Sequence, residues 1–340
     1  MTLELPNIIQ APMAGISTPE MAAAVSNAGA LGSIGVGATN ADGARKMIAD
    51  FRARSKRALN VNVFCHAPAK ADAARESRWV ERFRRRFADY GASPPSALRE
   101  IYTSFLVDDD MLRAFVETKP EIVSFHFGVP SAERVAALRG AGCTLVGSAT
   151  NIDEARALVS AGVSAIVAQG WEAGGHRGVF DPNAHDDRLG TFALVRLLVR
   201  EIQKPIIAAG GIMDGAGITA ALRLGAVAAQ LGTAFVACPE SSADAGYRAT
   251  LASDAAHHTE MTRAISGRPA RSLRNRFTAV LAGDEDVPDY PIAYDLGKSL
   301  HAAAKAKGDF GWGAQWAGQG APLSRAMPAA ELVAALKREM

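Results

Sequence analysis

The residues of this chain best suited to chemistry lie in Ala168-Gln169-Gly170-Trp171-Glu172-Ala173-Gly174-Gly175-His176-Arg177-Gly178, which sets four glycines around one imidazole. Glycine admits backbone angles and close approaches that a β-carbon forbids. Such a segment can lay main chain against something flat or anionic, and it carries a ring that is acid or base near neutrality. The same residues also suit a surface turn with a solvated histidine. Two further glycine turns follow apolar runs: Gly210-Gly211-Ile212 with Gly215 and Gly217, and Gln230-Leu231-Gly232-Thr233. Exposed N–H groups at such turns form an anion site, and Thr233 adds a hydroxyl; plain tight turns would read alike. Tyr290, Tyr294 and Lys298 are spaced by four, so a helix would set them on one face. Two phenols and an ammonium there make a site for a small anion, or a lysine snorkelling past two half-buried tyrosines.

The elements that must position these groups are legible in the pattern of apolar runs. Asn7 to Pro12 is a short run stopped by proline, hence a strand. Met13 to Ile16 makes the turn, and Ser17 or Thr18 caps a helix with Pro19 at its first position. Helices then end at Gly29, Gly142, Gly162 and Gly225, each followed by a buried run. Glycine at these positions supplies the left-handed residue of a helix C-cap. With Val61 to Phe64, Ile122 to Phe125 and Pro205 to Ala209, eight strands are expected, starting near residues 7, 31, 60, 122, 144, 164, 205 and 227. Helix, glycine stop and buried strand in repetition signify parallel βα units, and eight of them in this length fit a TIM barrel. An open doubly wound sheet is the alternative. It usually announces a dinucleotide by G-x-G-x-x-G after the first strand, which is absent; Gly32-Ser33-Ile34-Gly35-Val36-Gly37 has the wrong spacing, and Ile292 spoils the P-loop likeness of Gly297-Lys298-Ser299.

Three predicted strand ends carry polar side chains at the same rim: Asn62, His126 and Gln169. Buried amides need partners. Ring nitrogens and carbonyls of a flavin would supply them, and so would water or a neighbouring loop. Residues 75–87 form an amphipathic helix burying Trp79, Phe83 and Phe87. Beyond residue 240 the texture changes. Ser241 to Ala264 and Leu296 to Ala306 read as helices, with a Pro/Asp/Gly-rich loop at 283–291 and a Gly/Trp/Gln-rich segment at 308–321. The expected organisation is a barrel over 1–240, a helical substrate-covering subdomain over 241–320 at the barrel mouth, and a C-terminal helix in 321–340 packing back on the barrel.

Composition excludes several classes. A net charge of +2 gives no long-range field for nucleic acid or an anionic membrane. The run Leu224 to Cys238 is too short to span a bilayer. Cys65, Cys143 and Cys238 show no C-x-x-C spacing, which predicts reduced, buried thiols and no metal. The start of the chain shows no signal-peptide pattern, so a cytoplasmic protein, monomer or homodimer, is expected.

The segments Gln10-Ala11-Pro12-Met13-Ala14-Gly15, Asn60-Val61-Asn62-Val63-Phe64, Ser124-Phe125-His126-Phe127-Gly128, Gln169-Gly170-x-Glu172-Ala173-Gly174-Gly175-His176, Ala209-Gly210-Gly211-Ile212 and Gln230-Leu231-Gly232-Thr233 occur in that order. Together they resemble the nitronate monooxygenase family, formerly called 2-nitropropane dioxygenases. The histidine segment is the most specific; Ala-Gly-Gly-Ile is shared by many FMN barrels. His126, Gly267-Arg268-Pro269-Ala270-Arg271 and Tyr290-x-x-x-Tyr294-x-x-x-Lys298 resemble the bacterial class I type. The resemblance implies an FMN-dependent barrel oxidising alkyl nitronates, such as propionate 3-nitronate, with O2 to a carbonyl compound and nitrite. It implies His176 as the catalytic residue. It assigns FMN to Asn62, Gln169, Gly174, Gly211 and Gln230-Leu231-Gly232-Thr233, with the Met13 backbone near the ring. Tyr102, His126, Tyr247, Tyr290, Tyr294 and Lys298 would surround the substrate. Alternatives are an NADH-dependent FMN quinone or enoyl reductase, and a non-catalytic barrel binding a phosphorylated ligand.

Overall fold

The eight apolar runs form eight parallel strands: β1 (Ile8–Gln10), β2 (Gly32–Gly35), β3 (Leu59–Phe64), β4 (Ile122–His126), β5 (Thr144–Ala149), β6 (Ala165–Gln169), β8 (Ile206–Ala209) and β9 (Ala228–Leu231). This is a computed structural model, and it describes residues 5–280 and 286–340. The strands are ordered β1-β9-β8-β6-β5-β4-β3-β2. The ring closes where the Gln10 amide donates to the Leu31 carbonyl at 2.9 Å and the Leu31 amide to Ile8 at 3.0 Å. The fold is therefore a (β/α)8 barrel, and the observed strand starts follow the expected ones closely.

Helices α1 (Pro19–Asn27), α2 (Ala41–Arg54), α4 (Asp109–Thr118), α5 (Ala132–Gly140), α6 (Ile152–Ser160), α7 (Thr191–Glu201) and α8 (Gly215–Arg223) surround the strands, and the short α9 (Thr233–Val236) follows the last of them. Gly29, Gly142, Gly162 and Gly225 all have positive φ, as the C-cap reading requires. Of the two candidate caps, Thr18 accepts from the Met21 amide at 3.0 Å. Ser17 instead closes the preceding turn by accepting from Met13 N at 3.0 Å. A cluster of strand side chains, including Ile9, Leu31, Val146, Val167 and Ile207, fills the barrel. The larger cluster seals the strands against the helices. All three cysteines are free and buried. Among the described residues no helix is long and apolar enough to cross a membrane.

The region after the barrel differs from expectation in one respect. Ser241 to Ala264 is not one helix. It contains the short α10 (Ala245–Leu251), a 3-10 turn at Asp254–His257 and a strand, β10 (Thr259–Thr262). That strand pairs antiparallel with β11 (Ala270–Leu273), which in turn pairs with β7 (Gly175–His176), the middle of the histidine segment. Strand formation here depends on a partner far away in sequence, which local propensity does not reveal. The second expected helix is α11 (Ile292–Lys305), and the last is α12 (Ala329–Glu339). α3 (Ala73–Ala88) buries Trp79, Phe83 and Phe87, and these pack with Phe277, Leu296 and Trp312 rather than in the barrel core. The arginine-rich face of α3 is thus a solvated face, and its apolar stripe supports α11. Of the loop at 283–291, residues 283–285 lie outside the described residues.

Candidate active site

A cavity of about 410 Å³ opens at the C-terminal ends of the strands and runs beneath α10, α11 and the 312–320 segment. Its size is that of a site for a cofactor or drug-sized ligand. The turns after β1, β6, β8 and β9 form one wall, and residues 290–320 form the roof. Every residue that the resemblance assigns to catalysis, cofactor or substrate lines it except Leu231. The Leu231 side chain is 1% exposed and belongs to the hydrophobic core, so only its backbone can serve a ligand.

The histidine segment is not a solvated surface turn. Gln169 grips it with both ends of its amide, Nε2 donating to the His176 carbonyl at 3.0 Å and Oε1 accepting from the Gly178 amide at 2.7 Å. His126 reaches the same carbonyl through Nε2 at 3.3 Å; a carbonyl only accepts, so that nitrogen carries the proton. Arg177 is buried and forms a two-pronged pair with Asp186 at 2.8 and 2.9 Å. Its amide donates to Pro269 at 2.8 Å, and Arg271 holds the Trp171 carbonyl at 2.9 Å. The Glu172 carboxylate accepts from the amide and hydroxyl of Thr191 at 2.8 and 2.9 Å, tying the segment to the start of α7.

Against this frame the His176 ring is half-buried and faces the cavity. Trp316, Tyr290 and Phe127 lie with ring centroids 5.1, 5.3 and 5.6 Å away. Burial holds its pKa down to about 3, reinforced by His126, Arg268 and His66. Burial also lowers His126 and His66 to about 4 each, with Arg268 adding to both. Arg268 is itself buried, 4.3 Å over the Phe127 ring, and donates to the Val179 carbonyl. The site therefore presents a neutral imidazole backed by a fixed cation.

The polar side chains at the strand ends differ in what they leave free. Asn62 donates to Ser124 at 3.0 Å and keeps its carbonyl oxygen for a ligand. Gln230 lines the cavity, and its amide makes no hydrogen bond among the described residues. Gln169 has one proton and one lone-pair site left after gripping the loop. Met13 spends both polar backbone groups in its own turn, donating to Ser17 and accepting from Ile16 at 2.9 Å and Ser17 at 2.8 Å. It can approach a ligand only by contact.

The glycine turn after β8 needs a correction. The Gly217 amide donates to Asp214 at 2.8 Å and the Gly215 amide to Glu339 at 2.9 Å, so two carboxylates already cap α8 and neither amide is open to an anion. What remains is the consecutive positive-φ pair Gly210 and Gly211, together with Gly232 and Thr233. Successive amides in such a conformation form an anion-binding concavity. Thr233 Oγ1 accepts from the Gly318 amide at 3.0 Å, which brings the Gly/Trp/Gln-rich segment over this turn. At Gly174 a β-carbon would sit 2.4 Å from Gly318 N and 2.6 Å from the Ala317 carbonyl carbon. Both neighbours are backbone, so nothing can swing aside. Gly174→Ala is expected to cost about 1–3 kcal/mol through overpacking. A denaturant midpoint equal to that of the wild type would refute this.

On the roof, Tyr294 and Lys298 lie on α11, while Tyr290 precedes the helix and still lines the cavity. Lys298 Nζ stands 5.0 Å from the Tyr102 ring and 5.4 Å from the Tyr294 ring, a cation over two aromatic faces. Burial lowers its pKa, and nearby Asp295 opposes the shift. Tyr247 donates to the Trp316 carbonyl. The Tyr290 hydroxyl is buried and makes no hydrogen bond among the described residues, and its ring lies 5.3 Å from the His176 ring. Burial raises the pKa of all four phenols, to about 12 for Tyr294, so they act as neutral donors. Among the described residues no cluster of His, Cys, Asp or Glu could hold a metal ion. Ser266, bonded to His176 Nε2 at 2.8 Å, and Trp316 are two site residues that sequence reasoning missed. Trp316 lay in a segment marked by its composition; nothing local marked Ser266.

Comparison with known proteins finds similarity along nearly the whole chain. The profile of the family described as nitronate monooxygenase matches residues 2–339. A nitronate monooxygenase of Paraburkholderia phytofirmans is 65% identical over 336 residues, covering 98% of this chain and 92% of the relative. One from Pseudomonas aeruginosa is 52% identical over 335 residues, covering 98% and 95%. The crystal structure of a nitroalkane oxidase from Streptomyces ansochromogenes superposes with a TM-score of 0.90 at 39% identity, covering 99% of this chain and 96% of that one. FabK from Thermotoga maritima is more distant, with a TM-score of 0.74 at 29% identity and coverage of 98% and 92%.

Proposed function

This chain belongs to the nitronate monooxygenase family, and from that premise we propose that it binds FMN and oxidises alkyl nitronates with O2 to a carbonyl compound and nitrite. The observation that carries the reading is the pairing, in one cavity, of a neutral His176 with an anion-binding glycine turn on one side and Lys298 among tyrosines on the other. The donor set suits FMN. Gly210, Gly211, Gly232 and Thr233 offer amides and a hydroxyl for the phosphate. Asn62, Gln169 and Gln230 retain free amide capacity for the ring edge, with Met13 and Gly174 as close-contact neighbours. Bound FMN supplies the electron chemistry with O2; the protein supplies binding, orientation and electrostatics.

The chain's own residues then divide the remaining work. The neutral Nδ1 of His176 accepts the α-proton when the substrate arrives as a nitroalkane. When it arrives as a nitronate that step is unnecessary, and the neutral Tyr294 phenol, which lines the cavity 6.2 Å ring to ring from His176, donates a hydrogen bond to the anion. Lys298 holds a second negative group, which makes a carboxylated nitronate such as propionate 3-nitronate the preferred substrate. Tyr102, Tyr247 and Tyr294 wall this end, and His126 keeps the His176 backbone in place.

The test begins with the visible spectrum of the purified protein, where a flavin band is expected. Aerobic, FMN-loaded protein should release nitrite from propionate 3-nitronate more efficiently than from ethyl nitronate. Flavin bound without nitrite release would reject the activity. Anaerobic bleaching by NADH in that case would favour the quinone or enoyl reductase reading.

A further inference from the structure

The turn Arg263–Gly267 presses Ser266 against the back of His176. Gly267 has φ +93°, and a β-carbon there would sit 2.5 Å from the Pro288 carbonyl and 2.6 Å from the Tyr290 amide. The turn is closed by the Gly267 amide donating to the Arg263 carbonyl at 2.8 Å. Ser266 is fully buried. Its Oγ lies 2.8 Å from His176 Nε2 and 3.4 Å from the Arg268 carbonyl. His176 Nδ1 has no partner among the described residues and is not one of their sealed polar atoms, so it is the nitrogen open to the cavity.

Two hydrogens must be placed, one on the hydroxyl and one on the ring. If the hydroxyl donates to Nε2, the Arg268 carbonyl loses its only donor on Ser266 and the ring hydrogen points into the cavity. If Nε2–H donates to Oγ, the hydroxyl is free to donate to the carbonyl, and both hydrogens meet protein acceptors. The second arrangement satisfies more buried groups. We propose that Ser266 is a positioning residue for His176: it accepts the Nε2 hydrogen, passes its own to the Arg268 carbonyl, and so leaves Nδ1 as the unprotonated acceptor that meets the substrate. Selection of a tautomer by the hydrogen bond at the other ring nitrogen is general for histidine. Here it fixes a base rather than an acid.

The kinetic consequence rests on the nitronate reading above; the tautomer does not. Protein labelled with 15N-histidine, without substrate, is expected to show His176 as a single Nε2–H tautomer near neutral pH. Ser266→Ala should give a mixed or inverted tautomer population, and Ser266→Thr, which keeps the hydroxyl, should restore the wild-type spectrum. An Nδ1–H tautomer in the wild type, or a Ser266→Ala spectrum unchanged at His176, would overturn the proposal. The wild-type spectrum decides even if Ser266→Ala does not fold. In turnover, Ser266→Ala should lose about tenfold more activity on nitroethane than on its nitronate, within the range typical of orienting partners. It should add no further loss in a His176→Asn background. Equal losses on the two substrates, or full additivity, would also count against it. Should the protein release no nitrite at all, the spectra still answer for Ser266 separately from the proposed activity.

Discussion

Replacing His176 with Asn is expected to lower turnover of neutral nitroalkanes by about 10²- to 10⁴-fold, the contribution typical of a general base, while turnover of preformed nitronates falls far less. Asn retains hydrogen-bonding capacity but cannot take up a proton. Burial of the imidazole, reinforced by His126, Arg268 and His66 beside it, holds its pKa to about 3. In the empty cavity it is therefore a weak base. Its protonated form becomes favourable only when an anion is created next to it, because an opposite charge at contact distance stabilises the imidazolium. On the proposed reading, proton transfer to His176 is coupled to formation of the nitronate beside it. The ratio of the two rate losses, measured by nitrite release from nitroethane and from ethyl nitronate, decides the matter. Equal losses would remove the base role.

The second large effect is on stability. Folded, His66 and His126 bind protons only below about pH 4 and His176 only below about pH 3. In the unfolded chain each returns to an ordinary value near ~6.5. Between these limits the unfolded chain holds up to three more protons, so acid favours unfolding. This contribution is fully present above pH ~6.5 and is lost progressively as pH falls toward 4. By pH 5 the loss should be on the order of 5 kcal/mol. Most carboxylates are still ionised in both states at that pH, so the histidines dominate the trend. Urea unfolding at pH 7.5, 6 and 5 provides the measurement. A stability curve flat across that range would show that the three rings are not held neutral in the folded protein.

The barrel was legible because its determinants are local. Apolar runs, proline stops and glycine C-caps announce each βα unit without reference to the rest of the chain, and Gly29, Gly142, Gly162 and Gly225 adopted the conformation their positions demanded. The glycine turns and amides around the cavity were legible from their placement at strand ends, whereas Tyr102 and Tyr247 came only from the family resemblance. What escaped was non-local. β7 and β10 exist only because β11 lies between them, and Ser266 meets His176 from 90 residues away. The capping of Gly215 by Glu339 joins residues 124 apart, which is why amides that looked open to an anion were already taken.

The antiparallel pairing of Ala270 with His176 binds the histidine segment to a part of the chain made long after the barrel. A nascent or truncated protein could close all eight β-strands of the cylinder and still have no competent centre, since the segment bearing the imidazole would lack its outer neighbour. Pulse-labelled refolding should reveal this order: the Arg177 amide, which donates to Pro269, gains protection with the C-terminal strands and later than the amides of β6.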